Sequence, residues 1–241
     1  MERKFLAFDL ETSKEAPIAQ WKEHRPLGIA CAAILASDTD NLMQWYRRAP
    51  DGSPNSRMNR DEVQAMVRTM SALVEAGGYT IVTSNGLGFD FDILAEESGM
   101  SEDCIRLALG HVDMMFHILC ERGFGVSLDA IARGMDVPGK KEGITGGEVP
   151  TLWASGQYQK VLDYLAQDVR TTVDLALAAT ERGHLAWTSR NGNDQRIGLP
   201  EGLLTTEDAQ HLPEPDTSWM SNPDQWSRQR YTEWCRYPGT S

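Results

Sequence analysis

The sequence has no run of apolar residues approaching the roughly 20 needed to span a bilayer, so no membrane association is expected and the protein should be soluble. It has few cysteines. Cys31, Cys104, Cys120 and Cys235 are widely separated and form no CxxC pair, which argues against a disulfide framework and against a zinc site. The five histidines show no metal-ligand spacing. Basic residues are outnumbered 35 to 23, and a net charge of -12 argues against a simple nucleic-acid-binding module, which needs a concentrated cationic surface. The same balance does not argue against a metal-dependent nuclease, because carboxylates loaded with divalent cations turn a negative count into local positive charge. No internal repeat is visible. Met1-Glu2-Arg3-Lys4 leads directly into a strand pattern, leaving no room for a signal or transit segment, and the expected location is the cytoplasm.

At 241 residues the chain can form one sizeable core with an ordered extension. The apolar stretch from Lys4, then Gly28 to Ala36 and Leu42 to Tyr46, read as three strands able to form a meander. A Gly, Pro, Ser and Asn rich loop spans Asp51 to Asn59. An amphipathic helix from about Arg60 to Ala76 precedes Gly77-Gly78, and Tyr79 to Ser84 forms a fourth strand. Helices are expected over Phe89 to Ser98, Asp113 to Glu121, Ser127 to Met135 with Ser127 as N-cap, and Tyr158 to Thr180. A meander followed by strands alternating with helices predicts a mixed sheet flanked by helices, of α/β class. The domain is placed at residues 1–198. Residues 199–241, rich in proline and tryptophan, are read as an extension without regular core structure that packs on the domain or on a protein partner.

Charged residues on apolar elements carry most of the functional signal. Asp9 and Glu11 stand two apart on the first strand and so leave the same face. Tyr164 and Asp168 stand four apart on the longest helix and share a face there. Asp90 opens a helix, where a plain N-capping role is the alternative. Asp92, two residues on, should point elsewhere and is read as solvated. A strand this apolar has little reason to carry paired carboxylates unless a cation or a reaction needs them.

In order and setting, Phe8-Asp9-Leu10-Glu11-Thr12, Asn85 through Phe89-Asp90 to Leu94, and Tyr164-Leu165-Ala166-Gln167-Asp168 resemble the three exonuclease motifs of the DEDD superfamily. The tyrosine variant, DEDDy, is the one matched, since the histidine variant needs histidine five positions before Asp168 and Asp163 stands there. The pattern covers roughly residues 4 to 180 and is similar to the proofreading exonuclease domain of family B DNA polymerases, a DnaQ-like group. The resemblance implies a ribonuclease H-like five-stranded sheet and removal of nucleotides from 3′ ends of single-stranded DNA. It also implies two Mg²⁺ or Mn²⁺ ions, which suit hard oxygen ligands and phosphodiester hydrolysis. Asp9, Glu11, Asp90 and Asp168 are then the metal ligands, with Asp9 bridging, and Tyr164 orients the attacking water.

Thr12 and Asn85 match positions near the substrate, although either could instead satisfy backbone groups at an element end. Lys140 is a candidate phosphate contact in the loop Gly139 to Gly143, whose order does not fit a P-loop; a solvated loop is the alternative. Two other functions fit the same residues: an RNA 3′-5′ exonuclease, and a non-catalytic scaffold recruiting partners through the Trp-rich tail.

Overall fold

Alternation along the first strand sets the architecture. In β1 (Lys4–Thr12) Leu6, Phe8 and Leu10 enter one hydrophobic core while Phe5 and Ala7 enter the other, the period of two that a strand buried on both faces requires. The computed structural model describes residues 3–139, 144–189 and 191–236. β2 (Ile29–Ala36) and β3 (Leu42–Tyr46) continue from β1 as an antiparallel meander. Beyond β3 the chain crosses over through α1 (Arg60–Glu75) before β4 (Tyr79–Thr83) returns parallel to β1, a reversal that a tight turn cannot make. The short β5 (Val112–Asp113) adds parallel to β4, completing a five-stranded mixed sheet of order β3-β2-β1-β4-β5. Helices cover both faces, which is the ribonuclease H-like α/β arrangement that the motifs imply.

On the Leu6 face lie α1, α2 (Asp90–Ser98) and α3 (Ser101–Gly110). Asn59 caps α1 in a reciprocal pair with Glu62, and Val63, Met66, Val67 and Met70 form its buried stripe. On the Phe5 face lie α5 (Leu128–Gly134), α6 (Val149–Ala154) and α7 (Tyr158–Arg182), while α4 (Met114–Arg122) at the β5 edge contributes to both cores. Ser127 caps α5 as expected. A separate hairpin, β6 (His184–Thr188) and β7 (Asp194–Gly198), packs on α5. There Gly134 is required by space, since a Cβ would lie 2.3 Å from the Cα of Trp187.

The chain after residue 198 differs from the irregular extension expected. Leu199 and Leu203 are buried in one core, and the short α8 (Thr206–Ala209) sends Ala209 into the other. Farther on, α9 (Arg228–Arg236) is a regular helix. The Arg228 guanidinium donates to the carbonyls of Gln210, Leu212, Pro213 and Cys120 at 2.6 to 3.0 Å, tying tail and α4 together. Three of those four carbonyls lie in a turn-rich stretch without ladder partners, so one arginine satisfies groups that regular structure leaves open. Among the described residues no helix is long and apolar enough to cross a membrane. The four cysteines are free thiols.

Candidate active site

Asp9 and Glu11 follow the parity of Phe5 and Ala7, so both leave β1 toward α7. α7 turns Val161, Tyr164, Leu165, Asp168, Val169 and Thr172 inward, the i, i+3, i+4 stripe of a helix laid on a sheet. That stripe brings Asp168 to the strand carboxylates. Asp9, Glu11 and Asp168 each offer an oxygen, and these oxygens lie within 4.8 Å of one another. Glu11 and Asp168 are buried and Asp9 half-buried. The register of β1 against β2 shifts between Glu11 and Thr12, a local irregularity of the kind that re-aims side chains at the end of a strand.

Asp90 approaches from the other side of β1. Pairing between β1 and β4 ends at Ala7 opposite Val82, so the Leu10 N–H on that side has no strand partner. Asp90 Oδ1 accepts it at 3.1 Å, and the same carboxyl hydrogen-bonds Asp9. Asp90 thus abuts the three-carboxylate group and holds the strand that carries it. Burial pushes its carboxyl up to about 7, partly offset by the Leu10 N–H, with the charge of Asp113 adding to the rise.

Tyr164 is 6 % exposed and its hydroxyl is hydrogen-bonded with Asp168. Burial first, then the charges of Asp168, Glu11 and Asp9, hold the phenol well above its ordinary value, so it is a neutral donor facing a negative site. Gly146 lies over it, a Cβ there coming within 4.0 Å of the hydroxyl.

The remaining candidates fall at the periphery. Thr12 is buried next to Glu11, its hydroxyl donating to the Lys14 carbonyl at 3.2 Å. Asn85 adopts a left-handed φ of 77° in the turn before α2, and its N–H is bound by Asp113. Lys140 lies outside the described residues. Asp92 requires a correction: it is 4 % exposed and ion-paired with Arg25, with Lys22 at 3.9 Å. Helical geometry turned it away from the carboxylates as expected, but toward a second packed segment instead of solvent.

A residue beside the site that local sequence pattern did not signal is Asp113. It is 1 % exposed and accepts the N–H groups of Asn85 at 2.9 Å, Leu87 at 3.0 Å and Phe116 at 3.1 Å. The third contact is an N-cap of α4 and was visible as a helix start. The first two reach back 28 and 26 residues to the turn that delivers Asp90, and no local signal announces them.

Three hard carboxylates converging from a strand and a helix suit a divalent cation with oxygen preference, and the donor set fits Mg²⁺ or Mn²⁺ better than softer metals.

Residues 99–214, just under half of the chain, match the family model described as a predicted 3′-5′ exonuclease related to the exonuclease domain of PolB. The matched stretch contains Tyr164 and Asp168, while the first two motifs precede it. Among solved structures, the chain is similar to the family B DNA polymerase from Pyrobaculum calidifontis, at 18 % identity and TM-score 0.49 over 74 % of this chain and 25 % of that one. It is also similar to E. coli exonuclease I in complex with a dA16 oligonucleotide, at 17 % identity and TM-score 0.38 over 75 % of this chain and 41 % of that one. Exonuclease I from Methylocaldum szegediense aligns at 14 % identity and TM-score 0.37, over 75 % and 41 % of the two chains. The chain therefore spans from a quarter to about two fifths of the length of these proteins. No curated protein sequence gives a significant match.

Proposed function

We propose that this chain is a divalent-cation-dependent 3′-5′ exonuclease of the DEDDy type that releases nucleotides from single-stranded nucleic acid. The convergence of Asp9, Glu11 and Asp168 beside the Tyr164 hydroxyl carries the reading. DNA is proposed ahead of RNA on the resemblance of the three motifs to the proofreading exonuclease domain of family B DNA polymerases.

Asp9, Glu11 and Asp168, with Asp90 beside Asp9, are the residues that would hold Mg²⁺ or Mn²⁺. When bound, the cations supply activation of the attacking water and neutralisation of charge at the scissile phosphate. The protein's own part is placement. Asp90 fixes Asp9 and the Leu10 backbone, so that the strand presents its carboxylates in one orientation. Tyr164, held against Asp168, directs a hydroxyl toward the attacking water and the phosphate, an orienting role that needs no phenolate.

The test is shortening of a single-stranded oligonucleotide labelled at its 5′ end, run on DNA and RNA with Mg²⁺ and with Mn²⁺. Stepwise loss from the 3′ end is expected, faster on DNA. No shortening of either strand with either cation sinks the reading and favours a scaffold. Tyr164→Phe is expected to slow the reaction about ten- to a hundredfold while leaving the Mn²⁺-induced rise in Tm intact; a wild-type rate would remove Tyr164 from the mechanism.

A further inference from the structure

Two clefts border the elements that carry the carboxylates, and their chemistry is opposite. One, lined by Glu15, Glu148, Thr151 and the backbone around Gly147, is acidic, and phosphate is repelled from such a wall. The other, of about 190 Å³, lies between the 3-10 segment Ile18–His24 and α9, lined by Gln20, Trp21, Lys22, Glu23, Arg230 and Tyr231. Its lining carries Lys22, which is paired with Glu233 across the walls, Arg230, Glu23 and two aromatic residues, on a protein whose net charge is -12.

The second cleft adjoins the turn that delivers Asp90. Trp21 packs edge-on against Phe89, with ring centroids 5.1 Å apart, and Phe89 immediately precedes Asp90. Tyr231 covers Gly88, where a Cβ would lie 2.5 Å from the ring, so glycine is needed for the tail to sit this close. Trp234 donates its indole N–H to the Leu87 carbonyl at 2.8 Å. Lys22 joins the walls by pairing with Glu233 at 2.8 Å. Arg230 is exposed and has no ion pair among the described residues. α9 also lies beyond the stretch that matches the exonuclease family model.

Resting on the exonuclease reading above, we propose that the C-terminal helix builds a subsite for the single strand upstream of the scissile nucleotide. A nucleobase packs against the half-buried Tyr231 ring beside Trp21, and its phosphate is met by the exposed Arg230, with Lys22 released from Glu233 as a second contact. Cationic grooves interleaved with aromatic rings hold single strands in this way without reading sequence. The tail then acts as a wall of the substrate groove, and it gives an acidic chain a local cationic contact for a polyanion.

The experiment measures fluorescence anisotropy of a labelled oligothymidylate on the full chain without divalent cation, together with KM and kcat for its degradation. Arg230→Glu is expected to weaken binding about tenfold and to lower the salt slope by about one, raising KM much more than it changes kcat. Arg106→Glu, the same charge reversal on α3, controls for net charge and leaves binding unaltered. Photocrosslinking with an iododeoxyuridine-substituted strand is expected to label the peptide containing Trp21 or the one containing Tyr231. An Arg230→Glu protein that binds and degrades the strand like wild type overturns the subsite and leaves the exonuclease reading standing; so do crosslinks confined to other peptides. A wild-type protein that neither binds nor shortens any strand overturns both.

Discussion

Replacing Asp9 with asparagine is expected to lower exonuclease turnover by about 10³-fold or more, while leaving the metal-free protein as stable as wild type or more so. The two halves share one cause. The carboxylate oxygens of Asp9, Glu11 and Asp168 lie within 4.8 Å of one another, and two full charges at that separation repel by roughly 3 kcal/mol at an effective dielectric near 20. Asparagine keeps the shape and removes one charge, relieving the metal-free fold of repulsion. It also removes the anionic ligand nearest to Asp90. Wild-type protein should gain Tm on addition of Mn²⁺, as a ligand bound only by the folded state requires, and the variant should lose most of that gain. Rates on a labelled oligonucleotide and paired thermal melts with and without Mn²⁺ check both halves. An Asp9→Asn protein with wild-type turnover would disprove the assignment, and a metal-free melt well below wild type would show Asp9 to be structural.

Local periodicity made the centre of this site legible. Asp9 and Glu11 had to share a face because strands alternate, and Tyr164 and Asp168 because helices repeat nearly every four residues. Which two faces would meet was supplied by the apolar pattern: Phe5 and Ala7 on β1 share a core with Val161 and Leu165 on α7. The first four strands and α1, α2, α5 and α7 likewise followed from apolar period, caps and glycine stops. What escaped was set by contacts distant in sequence. Asp92 looked like a solvated helix residue because its partners, Arg25 and Lys22, come from a segment with no periodic signal. The tail was rich in proline, which pointed to irregular chain, yet Arg228 satisfies four carbonyls and lets a regular helix follow. β5 is two residues long and cannot show a period at all.

The tail therefore changes how the second motif is understood. Alone, the turn from Asn85 to Phe89 is a glycine-containing loop that could deliver Asp90 in many orientations. In the folded chain it is gripped from two sides: Tyr231 and Trp234 of α9 cover Gly88 and bind the Leu87 carbonyl, while Asp113 binds two of its N–H groups from beneath. Gly86 donates to the Thr83 hydroxyl at 3.1 Å, closing the same turn at its start. Rigidity at this turn reaches the carboxylates through Asp90 and the Leu10 N–H.

Asp113→Ala is consequently expected to cost about 3 to 5 kcal/mol of stability, lowering Tm by about 10 °C for a chain of this length, and to reduce kcat in protein that remains folded. The substitution strips acceptors from three N–H groups, those of Asn85, Leu87 and Phe116, around a side chain only 1 % exposed. Water reaches such groups poorly, so the desolvation penalty is felt nearly in full. Asp113→Asn retains one carbonyl oxygen and should recover part of both losses. A positioning role predicts that kcat, measured at a temperature where both variants are folded, falls by more than KM for the oligonucleotide rises, because the loosened turn misplaces Asp90. If Asp113→Ala melts early but turns over at the wild-type rate, the residue stabilises the fold alone and the link from β5 to Asp90 carries no catalytic consequence.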